Sequence, residues 1–479
     1  MKLANKKWTE EELFEIRKDV LAQWPTGKEV EDLDANIKWV KEHIPPSKNR
    51  NVLTDKAAEE GLFELNYAVG QATFEMTKEL FAYCEDLKPS NREIYTDSYT
   101  RKLKYDLAEQ GIKRSEKEGY NVLNGYPMVN YGVDKARELV ECTEASTALN
   151  ASDSDPRLLG EIALAAGFTQ IVSHNLQELI QHTRDFPLAE RIQNSQYLDR
   201  MITYYSEHGD IPLQAQIPGI LNGWDAAGFK IVNIILESLL CVEQGVKDIC
   251  VNPSPCLNLI QDVAVFKALR EIVPEYLKRF GHEDVHVHTA SMTWQGDWPR
   301  DRERAGSLVA YCVAMGALSG VTMLRLKSIQ EAFATPVKEG WRSSITIAKQ
   351  MLKIIGKQRF PDTKELLLEK EMLEKEARAV VDKVISLGEG DVAVGMVRGV
   401  EAGVLDTFFS PWKPLKQEVM VVRDNEGAAR YLKHGNIPLP KEVVEYHRQK
   451  IAEREKAEGV VADVKMLIRD VTRVSGPII

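Results

Sequence analysis

The chain has 479 residues, 44% of them apolar, and 62 Lys and Arg against 72 Asp and Glu, for a net charge of −10 and a pI near 5.6. That length fits one large core with additions, or two to three domains, and that apolar share excludes a fibre or a disordered tail. With the basic residues scattered through an acidic chain, no positive face stands ready for nucleic-acid phosphates, so an anionic ligand must meet a local positive pocket.

In chain order, the opening MKLANKKWTEEELFEIRKDV is polar and helical and lacks the apolar segment of a secretory leader. No later apolar stretch reaches the roughly 18 residues of a membrane span, and a cytoplasmic location is expected. Pro and Gly punctuation at WPTGKE (24–29) and HIPPSKN (43–49) breaks residues 1–58 into a helical N-terminal arm.

From residue 59, short apolar or β-branched runs alternate with longer helical ones, the pattern of βαβ units around a parallel sheet. Nine runs read as strands: ELNYAV, EIYTDSYT, NVLNGYP, STALNAS, GFTQIVS, IPLQAQI, DICVNPS, VHVHTAS and VTMLRLK. Eight of them would close a TIM barrel over residues 59–345, so one belongs outside it. Chemistry in that fold sits at the carboxyl ends of the strands, where Tyr67, Arg101, Asn124, Asn150, Asn252 and Lys327 fall.

Residues 346–479 turn helical and are expected to pack on or over the barrel. KELLLEKEMLEKEARAVVDKVISLG reads as an amphipathic helix with a solvated charged face, and VVRDNEGAARYLKHGNIPLP as a loop-rich segment able to fold over the barrel mouth.

Common signatures are absent: no GxGxxG opens a helix, and there is no Walker A loop, GxSxG or HExxH. Cys84, Cys142, Cys241, Cys250, Cys256 and Cys312 lack metal spacing and read as reduced, buried thiols. His282, His286 and His288 in HEDVHVH, like His174 and His182, read as structural or solvated histidines before metal ligands, so no metal is expected. Lys327 and Glu331 stand four residues apart. Spacing alone favours an ordinary helical charge pair worth about 0.3–0.5 kcal/mol, although a donor and an acceptor at a strand end would also suit a vicinal diol such as a ribose.

Seven stretches then point one way: NKKWTEEE, WPTGKEV, NVLNGYPMVNYGV, DPRLLGEI, EQGVKDI, KSIQEA and VRDNEGAARYLKHGNIP. On them the chain resembles the large (epsilon) subunit of glutamate mutase, also called methylaspartate mutase, over nearly its whole length. The resemblance implies a TIM barrel in an isomerase that uses adenosylcobalamin, held between the barrel and a small Rossmann-like cobalamin-binding subunit bearing DxHxxG. This chain has no DxHxxG, so the partner would supply the axial His. A homodimer of this chain within a heterotetramer is implied as well. The family's ribose-holding Lys and Glu fall on Lys327 and Glu331, a cofactor-facing Asn on Asn124 and an aromatic on Trp298.

The substrate half departs from that pattern. The three arginines that grip two carboxylates in the family fall on Tyr67, Arg101 and Asn150, and the His after the third falls on Ala151. The family's catalytic Glu falls on Val172, two pocket tyrosines on Glu178 and His182, and a further His on Met292. A dicarboxylate against one arginine is left poorly paired at a cost of several kcal/mol, unless Arg184 or another basic group swings in. The expected substrate is glutamate and 3-methylaspartate if the family pattern holds strictly, or, as the altered pocket favours, a related amino or carboxylic acid with its carboxylate on Arg101 and a cationic or hydroxylated end near Glu178 and His182. The loss of the Glu at Val172 keeps open a barrel that is a non-catalytic partner of the small subunit. A cofactor-free lyase using Lys327 stands as a third reading.

Overall fold

The computed structural model describes residues 2–150, 154–332 and 335–477. Eight parallel strands close into a barrel in sequence order: β1 Glu64–Val69, β2 Asn91–Tyr95, β3 Ser146–Asn150, β4 Gln170–Val172, β5 Gln214–Pro218, β6 Asp248–Asn252, β7 His286–Met292 and β8 Met323–Leu326. Closure is direct, with Glu64 and Tyr67 of β1 in register with Met323 and Leu326 of β8. The expected TIM barrel is thus present.

The ninth run, NVLNGYP, is the one outside the ladder. It crosses the end of β2 as a loop: the Tyr126 N–H donates to the Tyr95 carbonyl at 3.0 Å, and Asn124 Oδ1 accepts from the Ser98 N–H at 2.9 Å. Gly125 allows this approach, since a Cβ there would lie 2.5 Å from the Thr96 carbonyl carbon.

Register sorts the strand residues into two faces. Arg325 on β8 reaches past β1 to form a 2.5 Å ion pair with Glu93 on β2, which is possible only through the barrel interior. Their in-register partners share that face, so Asn66, Ala148, Asn150, Gln170, Gln214, Val172, Gln216, Asn252 and Met292 also point inward. The interior is unusually polar for a packed barrel: Asn66 Nδ2 donates to Glu93 at 2.7 Å and Gln170 Nε2 to Gln214 at 2.6 Å. The outward face carries the apolar residues that meet the helices, including Leu149, Ile171, Ile217 and Val251, all at most 1% exposed.

The amino-terminal helix Glu10–Leu21 opens on a capping box between Thr9 and Glu12 and is tied to the barrel helices by a buried pair, Arg17 to Glu161 at 2.9 Å. Helix Arg50–Glu60 follows at the amino end of the barrel, where Arg50 pairs with Glu64.

On the far side, helix Lys364–Leu387 lies along helices Ala227–Glu243 and Leu259–Arg279. Leu366, Leu373, Ala377, Val380, Val381 and Val384 are buried on one stripe, while Lys370 and Arg378 reach across to Glu271 and Glu275.

The segment read as loop-rich is a hairpin, β9 Val419–Arg423 and β10 Ala429–His434. Its turn is made by Asp424, whose Oδ1 accepts from the N–H groups of Glu426 and Ala428, and by Gly427 at φ +89. Arg423 fastens the hairpin to the rim loops after β5 and β6, donating to the carbonyls of Gly223 at 2.9 Å and Cys256 at 2.5 Å. Upstream, Ser410 donates to the Ile180 carbonyl at 2.7 Å and Trp412 Nε1 to that of Phe186 at 3.0 Å. The carboxy-terminal region therefore braces one side of the rim.

Five cysteines are buried, Cys142 is half-buried, and all six are free. No helix among the described residues is long and apolar enough to cross a membrane.

Candidate active site

Two adjoining chambers open at the carboxyl ends of the strands. The inner one, of about 350 Å³, lies over the barrel axis against Tyr95, Asn150, Arg325, Lys327, Glu331 and Trp341. The outer one, of about 450 Å³, runs toward the loop after β4 against Lys102, Glu178, Thr183, Arg184 and Phe186. Arg101, Asn124 and His182 wall both.

Arg101 sits in a 3₁₀ turn, Thr100–Lys102, that Asp97 builds. Asp97 Oδ1 accepts from the N–H of Tyr99 at 2.8 Å and of Thr100 at 3.2 Å, its Oδ2 from the Thr100 hydroxyl at 2.5 Å, and its carbonyl from the Arg101 N–H at 3.1 Å. The side chain so presented is uncompensated: among the described residues Arg101 meets no carboxylate, and its buried Nε has no hydrogen-bond partner. A buried, unpaired guanidinium donor calls for an anion.

At the end of β8, Lys327 Nζ and Glu331 Oε1 are 2.5 Å apart, with side chains 24% and 33% exposed. The Lys327 N–H donates to Thr293 Oγ1 at 3.0 Å, which holds the lysine at the rim. Tyr95 stands close by; burial, then the Glu331 charge, push its phenol well above the ordinary range, while Arg101 and Arg325 pull the other way. Tyr95 is thus a neutral O–H among two guanidiniums and a carboxylate.

On the opposite wall the helix Leu176–His182 places a second acid–base pair. The Glu178 carboxylate, 2% exposed, contacts His182 Nδ1 at 3.0 Å and His174 Nε2 at 3.4 Å. Burial pushes Glu178 up, but the His182 charge and the hydrogen bonds of both imidazoles outweigh it and hold the carboxyl well below its usual range. Burial drives His174 below the ordinary imidazole value. An ionised Glu178 accepts only, so His182 Nδ1 donates to it, and His182 Nε2 has no hydrogen bond among the described residues.

Most sequence candidates meet here: Arg101, Asn124, Asn150, Glu178, His182, Lys327 and Glu331 all line the chambers. Tyr67 does not. Its in-register partner Arg92 faces outward, and the ring lies under the Arg92 guanidinium at 4.5 Å and beside Trp341 at 5.4 Å; the neighbouring Ala68 faces the chamber instead. Successive residues along a strand point to opposite faces, so Ala68 and not Tyr67 looks into the barrel.

Trp298 is a second correction. It is 7% exposed, its indole N–H is tied to the Trp294 carbonyl at 3.1 Å, and Trp341 and Tyr95 are the rings that border the inner chamber. Val172 ends β4 facing inward at 4% exposure and carries no polar group to the site. Ala151 lies outside the described residues.

Sequence reasoning missed Arg325 and Tyr95, whose only signal is parity: Arg325 shares a face with Asn66, and Tyr95 with Glu93. Asn252 points inward, is fully buried, and has neither amide atom hydrogen-bonded.

The HEDVHVH histidines lie at the other end of the barrel. His282 pairs with Glu243 at 3.2 Å, His286 with Asp248 at 3.4 Å and His288 with Asp55 at 3.0 Å. Asp55, Asp248 and His288 have ligand-type atoms within 4.8 Å of one another; His288 pairs with Asp55, and Asp248 with His286.

Comparison with known proteins gives a consistent result. A family model described as "Methylaspartate mutase E chain (MutE)" matches residues 44–479. The chain is similar to the glutamate mutase epsilon subunit of Treponema denticola, at 35% identity over 481 residues covering 100% of this chain and 99% of the relative. It is similar also to the subunits of that name from Yersinia enterocolitica and Escherichia coli O157:H7, each at 36% identity with 99% of this chain and 98% of the relative covered.

Proposed function

The chain belongs to the methylaspartate mutase E chain family, and from that premise we propose that it is the barrel component of an adenosylcobalamin-dependent carbon-skeleton mutase. Its substrate would be an amino or carboxylic acid, and its partner a small cobalamin-binding subunit. The observation that carries the reading is the Lys327–Glu331 pair, set half-exposed at the mouth of a chamber large enough for a nucleoside.

These residues fit the cofactor's ribose. A vicinal diol needs one donor and one acceptor a hydroxyl spacing apart, and an ammonium and a carboxylate in mutual contact supply both. Opening their exposed contact costs only about 0.3–0.5 kcal/mol, so the pair can exchange partners with a ligand. Trp341 and Leu326 add an apolar wall. When bound, the cofactor supplies homolysis of the cobalt–carbon bond and hydrogen abstraction by the deoxyadenosyl radical.

The barrel's own residues would do the rest. Arg101, pre-set by Asp97, holds a substrate carboxylate with a fixed fork of N–H donors. Arg325, steadied by Glu93, and Tyr95 give the inner chamber a donor-lined floor. The expected assembly is a heterotetramer in which this chain also pairs with itself.

Equilibrium retention of the cofactor tests this. The chain and a family small subunit together should hold adenosylcobalamin, and Lys327→Ala should weaken retention about tenfold or more while leaving the melting temperature within a degree or two. Equal retention by the variant contradicts the reading. Val172 favours one competitor, a barrel that scaffolds the small subunit without chemistry; that reading requires cofactor binding indifferent to both Lys327 and Glu331.

A further inference from the structure

The amino end of the barrel, opposite the chambers, gathers metal-ligating groups from three elements. Asp248 opens β6, His286 and His288 lie on β7, and Asp55 comes from the helix Arg50–Glu60 at this end. Sequence spacing joins only the two histidines; the fold adds two carboxylates. Asp248 is in register with His286 and Cys250 with His288, so parity sets Asp248, His286 and His288 on the inward face, beneath Asn252 and Met292. Asp55 Oδ1 stands 3.0 Å from His288 Nε2, and Asp248 Oδ1 stands 3.4 Å from His286 Nδ1. One atom from each of Asp55, Asp248 and His288 lies within 4.8 Å of the other two. Donors about 2.0–2.2 Å from a single zinc-type ion stand about 3 Å to a little over 4 Å apart, so the three need only slight closure to share one.

The contacts they make leave them unsatisfied. His288 Nε2 and Asp248 Oδ1 are shut off from solvent and neither has a hydrogen-bond partner, so their short contacts are not aligned hydrogen bonds. Neither Asp55 nor Asp248 meets a Lys or Arg among the described residues; each pairs with an imidazole. Asn51, 4% exposed and one turn before Asp55, lies against the Asp248 carboxylate at the edge of a hollow of about 310 Å³, and its buried Oδ1 is unpartnered too. Three solvent-excluded ligand atoms without a partner, beside two carboxylates without a basic side chain, call for a cation.

We propose that Asp55, Asp248 and His288 hold a divalent transition-metal ion, zinc foremost, as a structural clasp at the amino end of the barrel. Two carboxylates match its double charge. One imidazole among oxygen donors suits zinc or manganese better than calcium or magnesium, which take oxygen alone. Asp55, with its side chain 45% exposed, gives the ion a way in, and Asn51 or water completes its shell. The clasp ties the helix that follows the amino-terminal arm to β6 and β7, at the end of this fold where residues serve stability rather than chemistry. It stands whether or not the mouth is that of a mutase.

The full chain, stripped with a chelator and dialysed, is titrated calorimetrically with zinc chloride and, as the oxygen-seeking control, with calcium chloride, and retained metal is counted by elemental analysis. One zinc per chain should bind with micromolar or tighter affinity and raise the melting temperature by several degrees, with calcium at least about tenfold weaker. His288→Gln and Asp55→Asn should each weaken zinc about tenfold or more, whereas His282→Gln, whose imidazole pairs with Glu243 instead, should bind as the wild type does. Circular dichroism separates lost binding from lost fold, and if His288→Gln does not fold, the half-exposed Asp55→Asn decides. No zinc retained, calcium bound as tightly as zinc, or zinc held equally by wild type and Asp55→Asn, which would mark adventitious metal on other surface or thiol groups, would each overturn the proposal.

Discussion

Two acid–base pairs, each four residues apart in sequence, face one another across the mouth, one in the turn after β8 and one on the helix after β4, and they are built to opposite ends. Lys327 and Glu331 are a quarter to a third exposed, whereas Glu178 is 2% exposed and held by two histidines. The exposed pair is cheap to separate, so it can trade its internal contact for ligand hydroxyls. Separating the buried pair would strand a carboxylate away from water, so it serves instead to fix an imidazole. The same sequence spacing thus gives an exchangeable contact at the end of β8 and a rigid one after β4. The difference lies in burial.

The comparison can be broken from beneath. Arg325 and Glu93 form the floor under both walls, and Glu93 is fully buried. Arg325→Leu should cost about 3–5 kcal/mol in denaturant unfolding, because it leaves that carboxylate unpaired. A loss under about 1 kcal/mol would mean that the floor is solvated.

Next in size, Glu178→Ala should cost about 2–3 kcal/mol of stability and Glu331→Ala under about 0.5 kcal/mol. Equal effects would erase the contrast between the walls.

A finer test uses pH. The Glu178 carboxyl is held below its ordinary 4.5, so its contribution to stability is full above that pH and is lost as pH falls below it. Acid unfolding of Glu178→Gln, followed by circular dichroism, should therefore show a shallower decline below about pH 4.5 than the wild type. Asp199 supplies the opposite sign from just behind the same wall, where its Oδ2 accepts the Ser173 hydroxyl at 3.0 Å. Burial pushes Asp199 from 3.8 up to about 7, with Glu237 adding to the rise and Ser173, Cys241 and Arg191 opposing it. Its contribution is full below 3.8 and is lost as pH rises to about 7, so Asp199→Asn should flatten stability across that interval.

The barrel was legible because its strands are short apolar runs between helices of ordinary amphipathic pattern. NVLNGYP passed for a strand on composition; what keeps it out is the backbone approach at Gly125, which no local pattern announces. The hairpin at 419–434 was hidden by charged residues, of which Arg423 and Arg430 in the fold reach sideways to a carbonyl and to Glu369. Among the chamber residues, Arg101, Asn124 and Lys327 could be named because expected strand ends and the family pattern both mark them, whereas Glu331 and His182 could be named from the family pattern alone. Arg325 and Tyr95 could not, since which face of a strand looks inward depends on register with its neighbours, and the same blindness placed Tyr67 in the mouth when it faces the helices.

The central claim is that this mouth works on an acid with the adenosyl group held by Lys327 and Glu331. Its most direct test is anaerobic mixing of the chain with a family small subunit, adenosylcobalamin and a panel of amino and carboxylic acids, following cob(II)alamin absorbance and the radical resonance. At least one acid should raise both signals. Cofactor fully bound with no signal from any acid would contradict the account.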